Sequence, residues 1–136
     1  MVASSVAGQG RAMFTKPVMC VVDDDPAVLK SLGRLLGAEG FEVVTFGSPA
    51  DFIRHASDHP VPLVVVDFMM PGLSGLEVQE SLRVLSPQTQ LIMISATTDP
   101  EIDARFFAGG AVAIFHKPFD EDEFLDAVRR VLHRAA

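Results

Sequence analysis

The sequence predicts a small doubly wound α/β domain. Three observations predict it. Five short apolar segments alternate with five stretches of helical periodicity between Val18 and Leu132. Two of those segments, Val18–Val22 and Leu63–Val66, are apolar at every position, as in strands covered on both faces. Proline and glycine punctuate the boundaries where helices should start and stop. Strands alternating with helices in this way imply a parallel sheet with right-handed crossovers.

Each element has a local reason. Val18-Met19-Cys20-Val21-Val22 is a buried strand halted by Asp23-Asp24-Asp25-Pro26. Asp25 is placed to cap a helix and Pro26 to open it. Val28, Leu29, Leu32, Leu35 and Leu36 then recur at helical spacing until Glu39-Gly40. A second strand is predicted over 41–46. Ser48-Pro49-Ala50-Asp51 starts a second helix that runs to about Ser57. Leu63 to Asp67 is the third strand. It is followed by a loop with two glycines, Phe68 to Gly75, and a helix over 76–85 that ends at Ser86-Pro87. Gln90 to Ser95 is the fourth strand. Asp99-Pro100-Glu101 opens a fourth helix that fades at Gly109-Gly110. A fifth strand over 111–115 and a helix over 120–132, with Phe124, Leu125, Val128, Val131 and Leu132 on one face, complete the pattern.

Composition narrows the function. The 136 residues suit one domain, and 49% hydrophobic with 21% charged residues excludes a disordered chain. A net charge of −7 argues against direct nucleic-acid binding, which needs clustered Lys and Arg, and suits cations or basic partners. The single cysteine, Cys20, excludes an internal disulfide and fits a reducing, cytoplasmic setting. No apolar run approaches the roughly 18 residues of a membrane span. Residues 1–16 are small, polar and without an apolar signal segment, and are expected to be a flexible tail ahead of a domain over 17–136.

In open α/β sheets ligands bind beyond the carboxyl ends of the strands. There the sequence puts Asp23, Asp24 and Asp25 after strand one, Asp67 after strand three, Ser95, Ala96 and Thr97 after strand four, and His116, Lys117 and Pro118 after strand five. Clustered carboxylates repel one another unless a cation or a shared proton relieves them. An all-oxygen set favours a hard, partly hydrated ion such as Mg²⁺. With a lysine and a hydroxyl nearby, such a site suits phosphoryl oxygens, and a central carboxylate can act as nucleophile. Taken singly, each residue has an ordinary explanation: Asp25 as a cap, Ser95 as a hydrogen-bonded strand end, Lys117-Pro118 as a loop, Met69 and Met70 as packing. The four histidines are scattered and are not read as metal ligands. Cys20, mid-strand, reads as an inert core thiol.

The segment Val18–Leu132 resembles the CheY-like receiver domain of two-component response regulators. The matching pieces are Val21-Val22-Asp23-Asp24-Asp25, Val66-Asp67-Phe68-Met69-Met70-Pro71-Gly72-Leu73-Ser74-Gly75, Ile94-Ser95-Ala96 and Lys117-Pro118-Phe119. The resemblance implies a flavodoxin-like (βα)5 three-layer sandwich with strand order 2-1-3-4-5. It implies that Asp67 accepts a phosphoryl group from a sensor histidine kinase or phosphotransfer protein. Asp24, Asp67 and the backbone carbonyl of Met69 would ligate Mg²⁺ or Mn²⁺, with Asp23 acting through water. Lys117 would pair with one phosphoryl oxygen. Ser95 would move to hydrogen-bond another, switching a face built from the fourth helix, fifth strand and fifth helix that meets an output partner or a second copy. The Lys117–Pro118 peptide is expected to be cis.

Two positions depart from the family pattern. The usual Tyr or Phe three residues before the lysine is Ile114 here, with Phe115 one place later, so the ring that normally moves with the hydroxyl residue is missing. Met69 stands two places after the acceptor, where a polar residue is common. Two rival readings are separable. A Mg²⁺-dependent phosphohydrolase would carry its labile phosphoryl group on Asp23. A degenerate receiver serving only as an interaction module would bind neither Mg²⁺ nor a phosphoryl mimic.

Overall fold

The computed structural model describes residues 16–135. Of the predicted flexible segment, residues 1–15 lie outside the described residues. The elements are β1 (Val18–Val22), α1 (Pro26–Ala38), β2 (Glu42–Phe46), α2 (Pro49–Asp58), β3 (Leu63–Asp67), α3 (Gly75–Leu85), β4 (Gln90–Ser95), α4 (Pro100–Ala108), β5 (Ala113–His116) and α5 (Glu121–Ala135). All strand pairs are parallel and form one sheet in the order β2-β1-β3-β4-β5.

Strand periodicity divides the core between the two faces of the sheet. Met19, Val21, Leu63, Val65, Ile92 and Ile94 pack with Leu32 and Leu36 of α1 and Phe124, Leu125, Val128 and Leu132 of α5. The alternate residues, Cys20, Val22, Val64, Val66, Leu91 and Met93, pack with Phe52 and Ala56 of α2, Val78 and Leu82 of α3, and Phe106 of α4. The result is three layers, with β3 fully buried at the centre.

The helix starts follow local chemistry. Asp25, Ser48 and Asp99 each cap a helix and each precedes a proline. The third helix begins at Gly75 rather than Leu76. The Ser74 hydroxyl accepts from the Glu77 amide while the Glu77 carboxylate accepts from the Ser74 amide, a reciprocal cap that extends the first turn.

Two strands begin later than the apolar pattern predicts, for one shared reason. β2 starts at Glu42 rather than Phe41, and β5 covers 113–116 rather than 111–115. After α1, Gly40 takes φ +94°, its amide donates to the Gly37 carbonyl and the Phe41 amide to Leu36. After α4, Gly110 takes φ +104°, its amide donates to Phe107 and the Ala111 amide to Phe106. Both are Schellman closures, in which glycine supplies the left-handed turn and the next apolar residue caps the helix. Phe41 and Ala111 therefore finish helices before any ladder can use them. Gly110 and Ala111 close α4 with two backbone bonds.

Candidate functional site

The carboxyl ends of β1, β3 and β5 converge on one rim. β1 delivers Asp23, whose amide donates to the Phe46 carbonyl and whose side chain is buried, accepting from the Asp25 amide at 2.9 Å. Asp24 is exposed beside it. Asp25 turns away and caps α1 through the Ala27 amide.

β3 ends at Asp67, registered against Ile94 of β4. The chain then folds back: the Phe68 amide donates to Ile94, and the Gly75 amide donates to the Phe68 carbonyl. A Cβ at Gly75 would lie 2.8 Å from Met93 Sδ and 3.0 Å from the Phe68 Cα, so only glycine lets this loop close over the sheet end. That closure holds Asp67 at the rim. Met69, two residues on, points its side chain to solvent with 65% exposure.

Asp23, Asp24 and Asp67 present oxygens that lie within 4.8 Å of one another. Lys117, from the end of β5, sets Nζ 3.4 Å from Asp23 Oδ2 and 3.5 Å from Asp67 Oδ1. The Lys117–Pro118 peptide is cis. One lysine thus faces three carboxylates, and the local charge stays negative. Three oxygen donors, two of them on buried residues and one exposed, suit a hard divalent cation that keeps water ligands. Among the described residues no histidine joins a group of this kind. Ser95 is fully buried, and its hydroxyl accepts from the Thr97 amide at 3.0 Å. Asp23, Asp24, Asp67 and Lys117 are therefore gathered, while the Ser95 hydroxyl is engaged by the loop leading to α4.

Burial, and then the Asp23 charge, pushes the Asp67 carboxyl above its ordinary value of 3.8, with Lys117 pulling it back. Folded Asp67 therefore holds its proton more tightly than the unfolded chain does. Its contribution to stability is intact below about pH 3.8 and is lost as pH rises through the raised folded value. Asn at this position removes that loss. We expect Asp67→Asn to melt a few degrees above the native protein at neutral pH without divalent ions, and the gap to close in acid. Melting curves across pH check this, and equal midpoints at neutral pH refute it.

Ile114, registered against Met93, packs into the cluster that holds Phe106 on the α4 side of the sheet. Phe115 packs on the other side, against Phe119 and Phe124 at ring distances of 5.8 and 5.5 Å. Strand parity thus forbids the Phe115 ring from standing in for an aromatic at 114. His116 shares the Ile114 face, and its Nε2 lies 2.9 Å from Asp103 Oδ2 of α4. Gln79 of α3, buried, donates to the Phe106 carbonyl of α4 at 2.8 Å. Sequence reading missed both contacts. The shared parity of 114 and 116 was the available signal for His116, whereas nothing local marks a glutamine for burial.

Comparison with known proteins agrees with this fold. Residues 19–129 match the response regulator receiver domain family. Nodulation protein W of Bradyrhizobium diazoefficiens is 38% identical over 114 residues, covering 84% of this chain and 50% of that protein. Response regulator protein TodT of Pseudomonas putida is 36% identical over 118 residues, covering 87% of this chain and 52% of that protein. The chain spans about half the length of these relatives. The solved structure of the BeF3-activated DrrB receiver domain superposes with a TM-score of 0.80 at 31% identity, covering 88% of this chain and all of that one. With an acid-lined sheet end, the strand order β2-β1-β3-β4-β5 and a family match over most of its length, this chain belongs to the receiver domains of two-component response regulators.

Proposed function

We propose that this protein accepts a phosphoryl group on Asp67 from a histidine kinase or phosphotransfer protein in the cytoplasm, and signals through its α4–β5–α5 face. The observation that carries this reading is the set Asp23, Asp24, Asp67 and Lys117 at one rim, with Asp67 on the central strand. A divalent ion held by Asp23, Asp24, Asp67 and the Met69 carbonyl, Mg²⁺ or Mn²⁺ by its oxygen donors, supplies charge neutralisation when bound.

The chain's own groups do the rest. An Asp67 carboxylate oxygen forms the new O–P bond as the P–N bond to the donor imidazole breaks, and the released imidazole takes a proton from solvent. Lys117 keeps Asp67 ionised against burial, and its ammonium is near enough to both acids to turn to a phosphoryl oxygen. Ser95 exchanges its Thr97 partner for another phosphoryl oxygen. A groove of about 370 Å³ lined by Ala27, Val28, Ser31, Lys117, Pro118 and Phe119 opens beside the site, where a donor helix would lie.

The decisive test is incubation with acetyl phosphate and Mg²⁺ followed by intact mass and site mapping. The native protein should gain one phosphoryl group on Asp67, and Asp67→Asn should gain none. Label on Asp23 instead would favour the phosphohydrolase reading.

Met69 sets how long the group lasts. A thioether is a poor partner for an attacking water. Met69→Asn should therefore lose its phosphoryl group faster, by roughly tenfold. Equal or slower decay than in the native protein refutes this.

A further inference from the structure

We infer that Asp103 and His116 form a latch between α4 and β5 that holds the unmodified conformation and relays Ser95 to the output face, doing here what an aromatic at 114 would otherwise do. The inference rests on the reading of Asp67 as phosphoryl acceptor.

The contact spans two elements that the sheet does not otherwise tie together at this end. His116 is the last residue of β5 and is registered against Ser95, and the Lys117 amide donates to the Ser95 carbonyl at 2.7 Å. From Ser95 the connection runs the other way into α4. The Ser95 hydroxyl holds the Thr97 amide, the Thr97 hydroxyl accepts from the Asp99 amide, and Asp99 caps α4. One turn later Asp103 returns to His116. The path from Ser95 through Thr97, Asp99 and Asp103 to His116 is a closed circuit of short contacts. Ser95 cannot leave Thr97 without disturbing the start of α4, and the start of α4 cannot move far while Asp103 stays on His116.

The latch is close but poorly bonded. His116 Nε2 and Asp103 Oδ2 are 2.9 Å apart without the alignment of a hydrogen bond. Among the described residues, Asp103 Oδ1 and His116 Nε2 are the only buried side-chain polar atoms that lack a hydrogen-bond partner. Buried polar atoms are rarely left so, and the imperfect pairing makes the contact a restraint that can be released rather than a rigid link. The rest of α4 leaves room for a shift, since Phe106 is its single fully buried residue. Ile114 beneath it offers an aliphatic surface that can slide rather than a ring that must swing.

The test measures beryllofluoride affinity in Mg²⁺, and amide exchange of α4 without ligand, for the native protein, Asp103→Asn, His116→Ala, the double variant and the exchanged pair Asp103→His with His116→Asp. Releasing the latch enlarges the competent fraction, so each single variant should bind about threefold tighter or more. The double variant should gain no more than a single one. The α4 amides should exchange faster in the single variants, and the exchanged pair should move both readouts back toward native. Native affinity in the single variants, or gains that simply add, overturns the inference. If no protein, native included, binds beryllofluoride, the reading of Asp67 has failed. The α4 exchange then decides the latch: faster exchange in the single variants upholds it, and unchanged exchange overturns it.

Discussion

Lys117→Ala should lower unfolding stability at neutral pH by about 2 kcal/mol and slow phosphoryl uptake from acetyl phosphate by about 100-fold or more. Both effects come from one ammonium. Lys117 lies within 3.5 Å of two acids, Asp23 and Asp67, that are 1% and 6% exposed. Removing one partner of a buried ion pair costs about 3–5 kcal/mol, reduced here because Lys117 itself is partly exposed. Without it the acids face each other with no counter-charge from the chain. The loss should shrink in acid, as Asp67 takes up its proton, and should also shrink when millimolar Mg²⁺ is added. Uptake should stay impaired in Mg²⁺, because the ion does not replace the ammonium on its side of the phosphoryl group. Denaturant unfolding with and without Mg²⁺ separates the two effects. A Lys117→Ala protein as stable as the native one, or one phosphorylated at the native rate, would show that the lysine is only a rim charge.

The acids were legible because their positions obey a rule of topology rather than of contact. In a parallel sheet every strand ends on the same side, so Asp23 and Asp67 had to meet once β1 and β3 were recognised as neighbours. Lys117 followed by the same logic. What parity and burial decide was harder to read. The cap role of Asp25 was legible from the proline after it, but nothing in the acidic run marked Asp23 rather than Asp24 for burial. Phe41 and Ala111 looked like strand residues because they are apolar, but closing a helix also rewards an apolar residue after glycine. Gln79 is a polar residue on an amphipathic helix, and only the approach of the Phe106 carbonyl from another helix gives it a reason to be buried. His116 escaped for a related reason. A histidine beside a lysine at a strand end suggests the phosphoryl site, whereas strand alternation turns its ring to α4.

Phe106→Ala should cost about 3–5 kcal/mol by the usual range for truncating a buried phenylalanine, and its damage should be concentrated in one helix. α4 is nine residues long, amphipathic only in part, and attached to the sheet through one fully buried side chain. The Phe106 ring meets Phe68 edge to face at 5.4 Å, and the Phe106 carbonyl accepts from buried Gln79. Phe68 follows Asp67 directly, so the same ring pair ties α4 to the loop beside the acceptor. Truncation opens a cavity between α4 and that loop and removes the contact that opposes outward movement of the helix. The opposite face, where Met19, Val21, Leu63 and Val65 meet α1 and α5, keeps its packing. Amide exchange should therefore show α4 and the 68–75 loop losing protection well before the central strands, with a lowered global midpoint by denaturant. Uniform loss of protection across both faces would mean that α4 is part of a single cooperative unit. In that case the helix could not shift independently of the sheet, and a switch built on its movement would have to carry the whole domain with it.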